Sequence, residues 1–138
     1  MREVTKSYVN EISYDIIGAA IEVHKVLGSG LLEKDYEKAL IYELESVGYQ
    51  VTSQQTIKVA YKGIVLDCEL RYDILVENLV VVENKSVLNV HPVHESTLRS
   101  YMKHLKVPKG ILINFNTSNI FHKGQQTFVN EYFSKLPE

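Results

Sequence analysis

The sequence predicts a mixed α/β fold with helices packed on a central sheet, because the spacing of apolar residues changes along the chain. Apolar residues recur at helical spacing over about residues 7–27 and 31–47, and a glycine follows each segment. From Tyr49 onward, apolar and polar residues alternate, which is typical of strands. The predicted order is α-α-β-β-β-α-β, in one domain that spans residues 1–138.

Three strands are expected in the middle of the chain. The first two cover about residues 51–61 and 64–76, and Lys62-Gly63 between them has the composition of a turn. The third begins at Val80-Val81-Val82, and its apolar start is typical of a buried strand.

A third helix and a fourth strand complete the predicted fold. The helix covers about residues 93–105, with Pro92 near its start, where proline is tolerated. Ile111-Leu112-Ile113 is a short apolar strand of the kind buried on both faces, and an edge strand is expected near residues 126–129. We therefore expect a mixed central sheet flanked by helices.

Composition limits the class of protein. The chain of 138 residues is long enough to bury a core, and 45% hydrophobic with 23% charged residues is typical of globular proteins. The formal net charge of −2 gives no general attraction to nucleic acid, so phosphate binding would require a local basic patch.

The compartment is predicted from the single cysteine and from the absence of membrane signals. Cys68 cannot form an intrachain disulfide, which favours a reducing compartment. No apolar stretch approaches membrane-spanning length, and the charges of Arg2, Glu3 and Lys6 distinguish the N-terminus from a signal peptide. We therefore expect a cytoplasmic protein without membrane association.

Charged residues in the second and third predicted strands give the main functional signal. Asp73 lies in the second strand, and Glu83-Asn84-Lys85 follows the apolar start of the third. Because side chains alternate along a strand, Glu83 and Lys85 face one side and Asn84 faces the other. Burying such charges is unfavourable unless they are paired or bind a metal ion.

The connection between these strands decides whether Asp73 and Glu83 share a face. A two-residue turn at Glu77-Asn78 would place them on opposite faces. A three-residue loop that includes Leu79 would place them directly opposite each other, with Cβ atoms roughly 4.5–5.5 Å apart. Since that spacing suits two carboxylates sharing one cation, we predict the three-residue loop, or an equivalent bulge, with Asn78 in a left-handed conformation.

Two carboxylates on one face would form an oxygen-rich site of the kind that Mg²⁺ or Mn²⁺ prefers. Such an ion neutralises a phosphodiester and activates water, and Lys85 could orient that water or stabilise phosphate charge. Arg71, two residues before Asp73, could hold a neighbouring phosphate. The alternative is an ordinary set of salt bridges between the two strands, and spacing alone leaves both interpretations open.

Two motifs resemble a known nuclease family. Asp73 followed by Glu83-Asn84-Lys85 resembles the D…(D/E)xK signature of the PD-(D/E)xK nuclease superfamily. Residues 30–36 match the pattern that gives the GxxExxY family its name, and the similarity spans about residues 11–116. The resemblance implies a restriction-endonuclease-like fold with an αβββαβ core. It also implies three metal ligands, Asp73, Glu83 and Glu33, which together with Lys85 form the catalytic set.

Glu33 would act from the first turn of the second helix, on the same face as Tyr36. A carboxylate at this position also interacts favourably with the positive end of the helix dipole. That ordinary preference is the alternative explanation for Glu33.

One position departs from the family pattern on the third helix. Related sequences carry a glutamine four residues before the tyrosine that is Tyr101 here, and this chain has Thr97 instead. Threonine is shorter and offers no amide group. The departure raises the alternative of a weak or inactive enzyme.

The third helix also carries basic residues on one face. Arg99, Lys103 and Lys106 recur at helical spacing, and Lys109 follows, which suits a nucleic-acid backbone but equally a solvated helix face. The candidate substrate-binding residues are Arg71, Arg99, Tyr101 and Lys103.

Histidines on and before the same helix suggest a second type of metal site. His91, His94 and His104 could bind zinc, but no cysteine accompanies them and Pro92 separates the first two, so we do not favour zinc.

The sequence therefore supports two main functional hypotheses, and a third, a small-molecule or regulatory binding domain that merely retains the fold, stays open. The first is a nuclease that hydrolyses DNA or RNA with Mg²⁺ (or Mn²⁺) as cofactor. The alternative is a catalytically weak or inactive protein of the same fold that binds nucleic acid or a protein partner. Small nucleases often cut duplexes as dimers, so a homodimer is considered, although no segment stands out as its interface.

Overall fold

The computed structural model describes residues 2–138. Its helices are α1 (Lys6–Leu27), α2 (Glu33–Ser46), α3 (Pro92–Leu105) and α4 (Glu131–Ser134), and a π-helix covers Ile120–Gly124. Its strands are β1 (Val51–Ser53), β2 (Val59–Tyr61), β3 (Ile64–Leu66), β4 (Ile74–Val76), β5 (Val80–Lys85), β6 (Lys109–Asn114) and β7 (Gln125–Val129).

A five-stranded sheet in the order β1-β4-β5-β6-β7 forms the centre of the fold. β5 and β6 are parallel, and the other neighbouring strands are antiparallel. One face of the sheet packs against α1 and α2, and the other packs against α3. The predicted mixed sheet flanked by helices is confirmed. No helix within residues 2–138 combines the length and apolarity that a membrane crossing requires.

The apolar periodicity of the first helices corresponds to their buried face. In α1 the buried positions follow helical spacing, from Val9 through Ile12 and Ile16 to Val23. Thr5 caps this helix by accepting a hydrogen bond from the Tyr8 N–H at 3.0 Å. Both predicted helices are confirmed, with bounds that shift by one or two residues.

The two long strands expected before Val76 are each interrupted. Gln54 has a positive φ of 53°, which turns the chain after β1. In the segment that joins β1 to β2, strand pairing is reduced to an isolated bridge between Thr56 and Arg71. The outer halves of the expected strands then form a separate hairpin, β2–β3. The prediction of two continuous strands was wrong, because glutamine gives no sequence signal for a left-handed residue.

The loop between β4 and β5 has the predicted length. Val76 pairs with Val80, which leaves the three residues Glu77, Asn78 and Leu79 in the connection. Asn78 adopts the left-handed conformation, with φ 55°, and Glu77 does so as well. The predicted register is therefore confirmed.

Helix α3 packs closely against β6 at Gly110, where any side chain would displace its neighbours. A Cβ atom added to Gly110 would lie 2.7 Å from Met102 Sδ and 3.1 Å from Leu98 Cγ. We expect Gly110→Ala to lower the free energy of unfolding by about 1–3 kcal/mol through overpacking, measured by urea denaturation. Gly18→Ala is the matched control, since nothing lies within 4 Å of its added Cβ. In α1 it should stabilise by about 0.5–1 kcal/mol. Equal effects of the two changes would contradict this packing.

Candidate functional site

Asp73 and Glu83 lie opposite each other at the open end of the β4–β5 ladder. The pairing of Ile74 with Val82 places the preceding residue, Asp73, beside Glu83. Asp73 Oδ2 accepts a hydrogen bond from the backbone N–H of Asn84 at 2.9 Å. The two carboxylates therefore share the face that the sequence predicts.

Glu83 is a buried carboxylate with an unused oxygen. Glu83 is only 5% exposed, and its Oε1 atom has no hydrogen-bond donor. Its Oε2 atom lies 3.6 Å from Lys85 Nζ. Burial raises the pKa of Glu83 to about 8, and hydrogen bonding and charge repulsion from Asp73 add to this effect, while Lys85 opposes it.

The donor set of this pair fits a hard divalent cation. A buried carboxylate oxygen without a partner is strongly unfavourable unless a cation or a proton compensates it. Magnesium in phosphate-processing sites is commonly held by one or two carboxylates, with waters and substrate phosphates completing its shell. No group of three or more His, Cys, Asp or Glu side chains in residues 2–138 is arranged to hold a metal ion. The site therefore offers two carboxylates rather than a closed protein cage.

Glu33 is the first residue of α2 and contacts the end of β5. Its Oε1 accepts a hydrogen bond from the Ser86 N–H at 3.4 Å, and Ser86 Oγ donates to the Leu31 carbonyl at 3.1 Å. Because Ser86 directly follows Lys85, these bonds hold the start of α2 against the strand that carries Glu83 and Lys85. A role of Glu33 as third metal ligand stays a prediction.

Tyr36 fixes the loop before Glu33. Its hydroxyl donates to the Gly28 carbonyl at 2.6 Å and accepts from the Leu31 N–H at 3.1 Å. Its ring stacks on Phe115 at a centroid distance of 4.4 Å, within the core. The glycine-to-tyrosine motif thus has a structural explanation: the tyrosine ties the loop to the first turn that presents the glutamate.

Sequence reasoning missed Glu37 and Gln54. Gln54 Nε2 donates to Glu37 Oε1 at 2.7 Å and to Asp73 Oδ1 at 3.2 Å, which links α2 to the carboxylate pair. Burial raises the pKa of Glu37. Glu37 could have been predicted, because its spacing of four residues from Glu33 places both on one helix face. The sequence offered no comparable indication of the left-handed backbone of Gln54.

An open cavity of about 410 Å³ lies between α2 and this end of the sheet. Its lining residues are Glu33, Lys34, Glu37, Gln54, Asp73 and Asn84. The Asn84 residue is 1% exposed, and neither atom of its side-chain amide has a hydrogen-bond partner. Asp73 thus lies at the boundary between this cavity and the face that carries Glu83.

The model of the PD-(D/E)XK nuclease superfamily matches residues 10–127, most of the chain and all of the site described above. The chain belongs to the PD-(D/E)XK nuclease superfamily. No curated protein and no solved structure matches it. Nucleases of this superfamily generally use divalent metal ions. The assignment of the D…(D/E)xK signature to Asp73, Glu83 and Lys85 stays a prediction.

Tyr101 lies on α3, on the face of the sheet opposite α2, where the charges of Glu83 and Asp73 act on it. Burial raises the pKa of Tyr101 to about 12, and the negative charges of Glu83 and Asp73 contribute. Thr97, the position that departs from the family pattern, lies one turn earlier and is half-buried. α3 therefore presents a tyrosine but no amide beside the pair.

The histidines at the start of α3 cap the helix. His91 Nδ1 accepts from the Val93 N–H at 3.0 Å, and His94 Nδ1 accepts from the His91 N–H at 3.3 Å. Burial and the charge of Lys85 lower the pKa of His94. One ring nitrogen of each is thus engaged with the backbone, and the structure adds nothing to the zinc hypothesis.

The predicted substrate-binding residues of this PD-(D/E)XK chain fall into two groups. Arg71 is exposed near the carboxylates, since its charge partly opposes the rise that burial causes in the pKa values of Glu37 and Tyr101. Arg99 and Lys103 instead line a separate cavity of about 310 Å³ beside α4, where Arg99 lies 4.7 Å from the centroid of the Phe128 ring.

Lys109 does not extend the basic face of α3. It is 8% exposed, donates to Asn10 Oδ1 at 2.8 Å, and has a pKa lowered by burial. Including it in the basic strip was wrong, because the alternation of β6 turns its side chain toward α1.

Proposed function

We propose that this PD-(D/E)XK chain is a nuclease of the GxxExxY group that hydrolyses phosphodiester bonds of DNA or RNA with Mg²⁺ or Mn²⁺. The observation that carries the proposal is the pairing of Asp73 with Glu83, whose buried Oε1 has no hydrogen-bond donor, next to the amine of Lys85. Such an oxygen requires a proton or a cation to compensate its burial, and the proposal assigns that role to the cation.

Each residue of the site has a role that its position supports. Asp73 and Glu83 would hold the cation, and Glu33 would bind a water or a second cation at the end of β5. A bound divalent ion would supply charge neutralisation of the phosphate and acidification of water. Lys85, 3.6 Å from Glu83, would donate a hydrogen bond to the attacking water or to a phosphate oxygen.

The substrate would approach along the exposed edge of this site. Arg71 would contact a phosphate beside the reacting one, because it is exposed and close enough for its charge to act on the pKa values of Glu37 and Tyr101. Arg99 and Lys103 would contact the backbone further along α3. The local basic residues are needed because the chain carries a net charge of −2.

A cleavage assay tests the proposal directly. Single-stranded, duplex and branched DNA and RNA are incubated with wild type and Lys85→Gln, in Mg²⁺, in Mn²⁺ or in EDTA. We expect cleavage of at least one substrate by wild type in a divalent metal, none in EDTA, and a loss of roughly a hundred-fold or more in Lys85→Gln. Equal cleavage by the variant, or cleavage in EDTA, would exclude this mechanism.

The second candidate is a protein of the same fold that binds nucleic acid or a protein partner and cleaves weakly or not at all. Two features favour it: Thr97 stands where the family pattern that the sequence resembles has glutamine, and no group of three acidic, histidine or cysteine side chains in residues 2–138 is arranged to hold a metal ion.

Thr97→Gln distinguishes the two candidates. If the enzyme is active but poorly positioned, the longer amide side chain beside Tyr101 should raise the cleavage rate, by roughly ten-fold for one added hydrogen bond to substrate or water. Thr97→Leu, of similar length without the amide, is the control. Binding of nucleic acid by both variants with no cleavage by either would support the second candidate.

The cytoplasmic location and the homodimer stay predictions. The first depends on the single cysteine, Cys68.

A further inference from the structure

The side chain of Gln54 connects two carboxylates of the candidate site. Gln54 Nε2 donates to Glu37 Oε1 at 2.7 Å and to Asp73 Oδ1 at 3.2 Å. A side-chain amide nitrogen carries two hydrogens, so these two bonds use both of them. Because both partners are acceptors, the nitrogen of the amide and not its oxygen must face them. The amide therefore has one defined orientation between α2 and Asp73.

The backbone of Gln54 adopts an unusual conformation that brings this side chain to Asp73. Its φ is 53°, in the left-handed region that residues other than glycine seldom adopt. The Gln54 N–H also donates to the Asp73 carbonyl at 3.0 Å, so the main chain and the side chain contact the same residue. Gln54 is exposed, so burial of its side chain does not explain the conformation. Residues held in such conformations cluster at functional sites.

Gln54 and the backbone of Asn84 together fix the Asp73 carboxylate. Oδ1 accepts from Gln54, and Oδ2 accepts from the Asn84 N–H at 2.9 Å. The carboxylate therefore cannot rotate about its Cβ–Cγ bond without losing one of the two donors. An ionised carboxylate has about four acceptor sites, so each oxygen keeps about one lone pair for a further ligand.

We propose that Gln54 is a positioning residue, which holds the Asp73 carboxylate in the orientation that binds a divalent cation together with Glu83. The inference rests on the proposed function, because it takes this pair as the cation site. Groups that hydrogen-bond a metal ligand fix its direction, and their loss typically lowers metal affinity by roughly 10–100-fold. Glu37 acts indirectly, since it accepts the second hydrogen of the amide and so holds Gln54 in place.

A purely structural role of Gln54 has a different consequence. If the residue served only to turn the chain after β1, its left-handed backbone would matter and its side chain would not. Glycine adopts that backbone readily, so it would then replace Gln54 without effect on cation binding.

Calorimetric titration with Mn²⁺ distinguishes the two roles. Gln54→Gly keeps the left-handed backbone without the amide, and Gln54→Asn keeps an amide that is one methylene shorter. We expect both variants to bind Mn²⁺ roughly 10–100-fold more weakly than wild type, with melting temperatures in EDTA within about 4 °C of wild type. Lys62→Gly is the matched control and should keep the wild-type affinity, because Lys62 is also left-handed, with φ 47°, but lies between β2 and β3.

Two substitutions of Glu37 test whether it acts through Gln54. Glu37→Gln and Glu37→Leu both remove the charge, and only the glutamine keeps an oxygen that can accept from the Gln54 amide. With Gln54 present, Glu37→Leu should bind Mn²⁺ roughly three-fold more weakly than Glu37→Gln. In the Gln54→Gly background the two should be equal, since no amide is left to hold. A difference that persists in that background would contradict the indirect role of Glu37.

A further measurement requires no metal ion. In EDTA, the NMR chemical shift of the Asn84 N–H reports its hydrogen bond to Asp73 Oδ2. We expect this signal to move in Gln54→Gly and Gln54→Asn and to stay in Lys62→Gly, because only the first two release the carboxylate. A signal that stays in all three variants would overturn the orientation of Asp73 by Gln54.

The outcomes separate this inference from the proposed function. Wild-type Mn²⁺ affinity in both Gln54 variants would overturn the positioning role and leave the cation site intact. A wild type that binds no Mn²⁺ would remove the cation site itself, and the role of Gln54 with it.

Discussion

Substituting Asp73 with asparagine is expected to lower metal-dependent cleavage by roughly a thousand-fold, with the fold retained. Asparagine keeps an oxygen that can accept the hydrogen bond of the Asn84 N–H, now 2.9 Å from Asp73 Oδ2. It removes the negative charge that, with Glu83, would hold the cation. The measurement is the single-turnover rate with Mn²⁺ on the best substrate, together with urea unfolding of both proteins.

A second substitution separates chemistry from stability at this position. Asp73→Ala removes the acceptor as well, so the buried Asn84 N–H loses its partner, at a cost of about 1–3 kcal/mol in the free energy of unfolding. Glu22→Gln, at an exposed position of α1, is the control and should change neither property. Cleavage by Asp73→Asn at more than a tenth of the wild-type rate would remove Asp73 from the site.

The register of β4 and β5 shows what the sequence could predict about this site. Asp73 and Glu83 could share one cation only if both lie on the same face of the sheet. That chemical requirement selected the three-residue loop over the two-residue turn. Asn78 agreed with it, because asparagine tolerates the left-handed conformation. The prediction held because a local conformational preference and a long-range requirement pointed to the same loop.

The contacts around the pair could not be predicted in the same way. Gln54 reaches Asp73 and Glu37 because its own backbone is left-handed, and nothing about glutamine indicates that conformation. The separate hairpin β2–β3 was missed for the same reason. Apolar and polar residues continue to alternate along the sequence at the point where pairing with the central sheet is interrupted, so the alternation does not reveal the break. Lys109 was assigned to the wrong surface because the strand bounds were unknown, and one residue of shift reverses a side chain.

The pH dependence of metal binding provides the sharpest test of Glu83. Burial and Asp73 raise its pKa from 4.5 to about 8. Between these values the folded state binds more protons than the unfolded state, so the contribution of Glu83 to stability is fully present below pH 4.5. It is lost as the pH rises through about 8. Cation binding requires the charged form, so it should release a proton and become tighter over the same range.

Two measurements follow from this linkage. By calorimetry, the affinity of wild type for Mn²⁺ should rise about ten-fold per pH unit between roughly pH 6 and 8 and level off above. In EDTA, Glu83→Gln should have nearly the wild-type melting temperature at pH 5 and a higher one at pH 9, because glutamine has no charge to bury. Glu22→Gln should follow wild type throughout. An affinity that does not vary with pH, or that survives in Glu83→Gln, would mean that the partnerless oxygen of Glu83 is not where the cation binds.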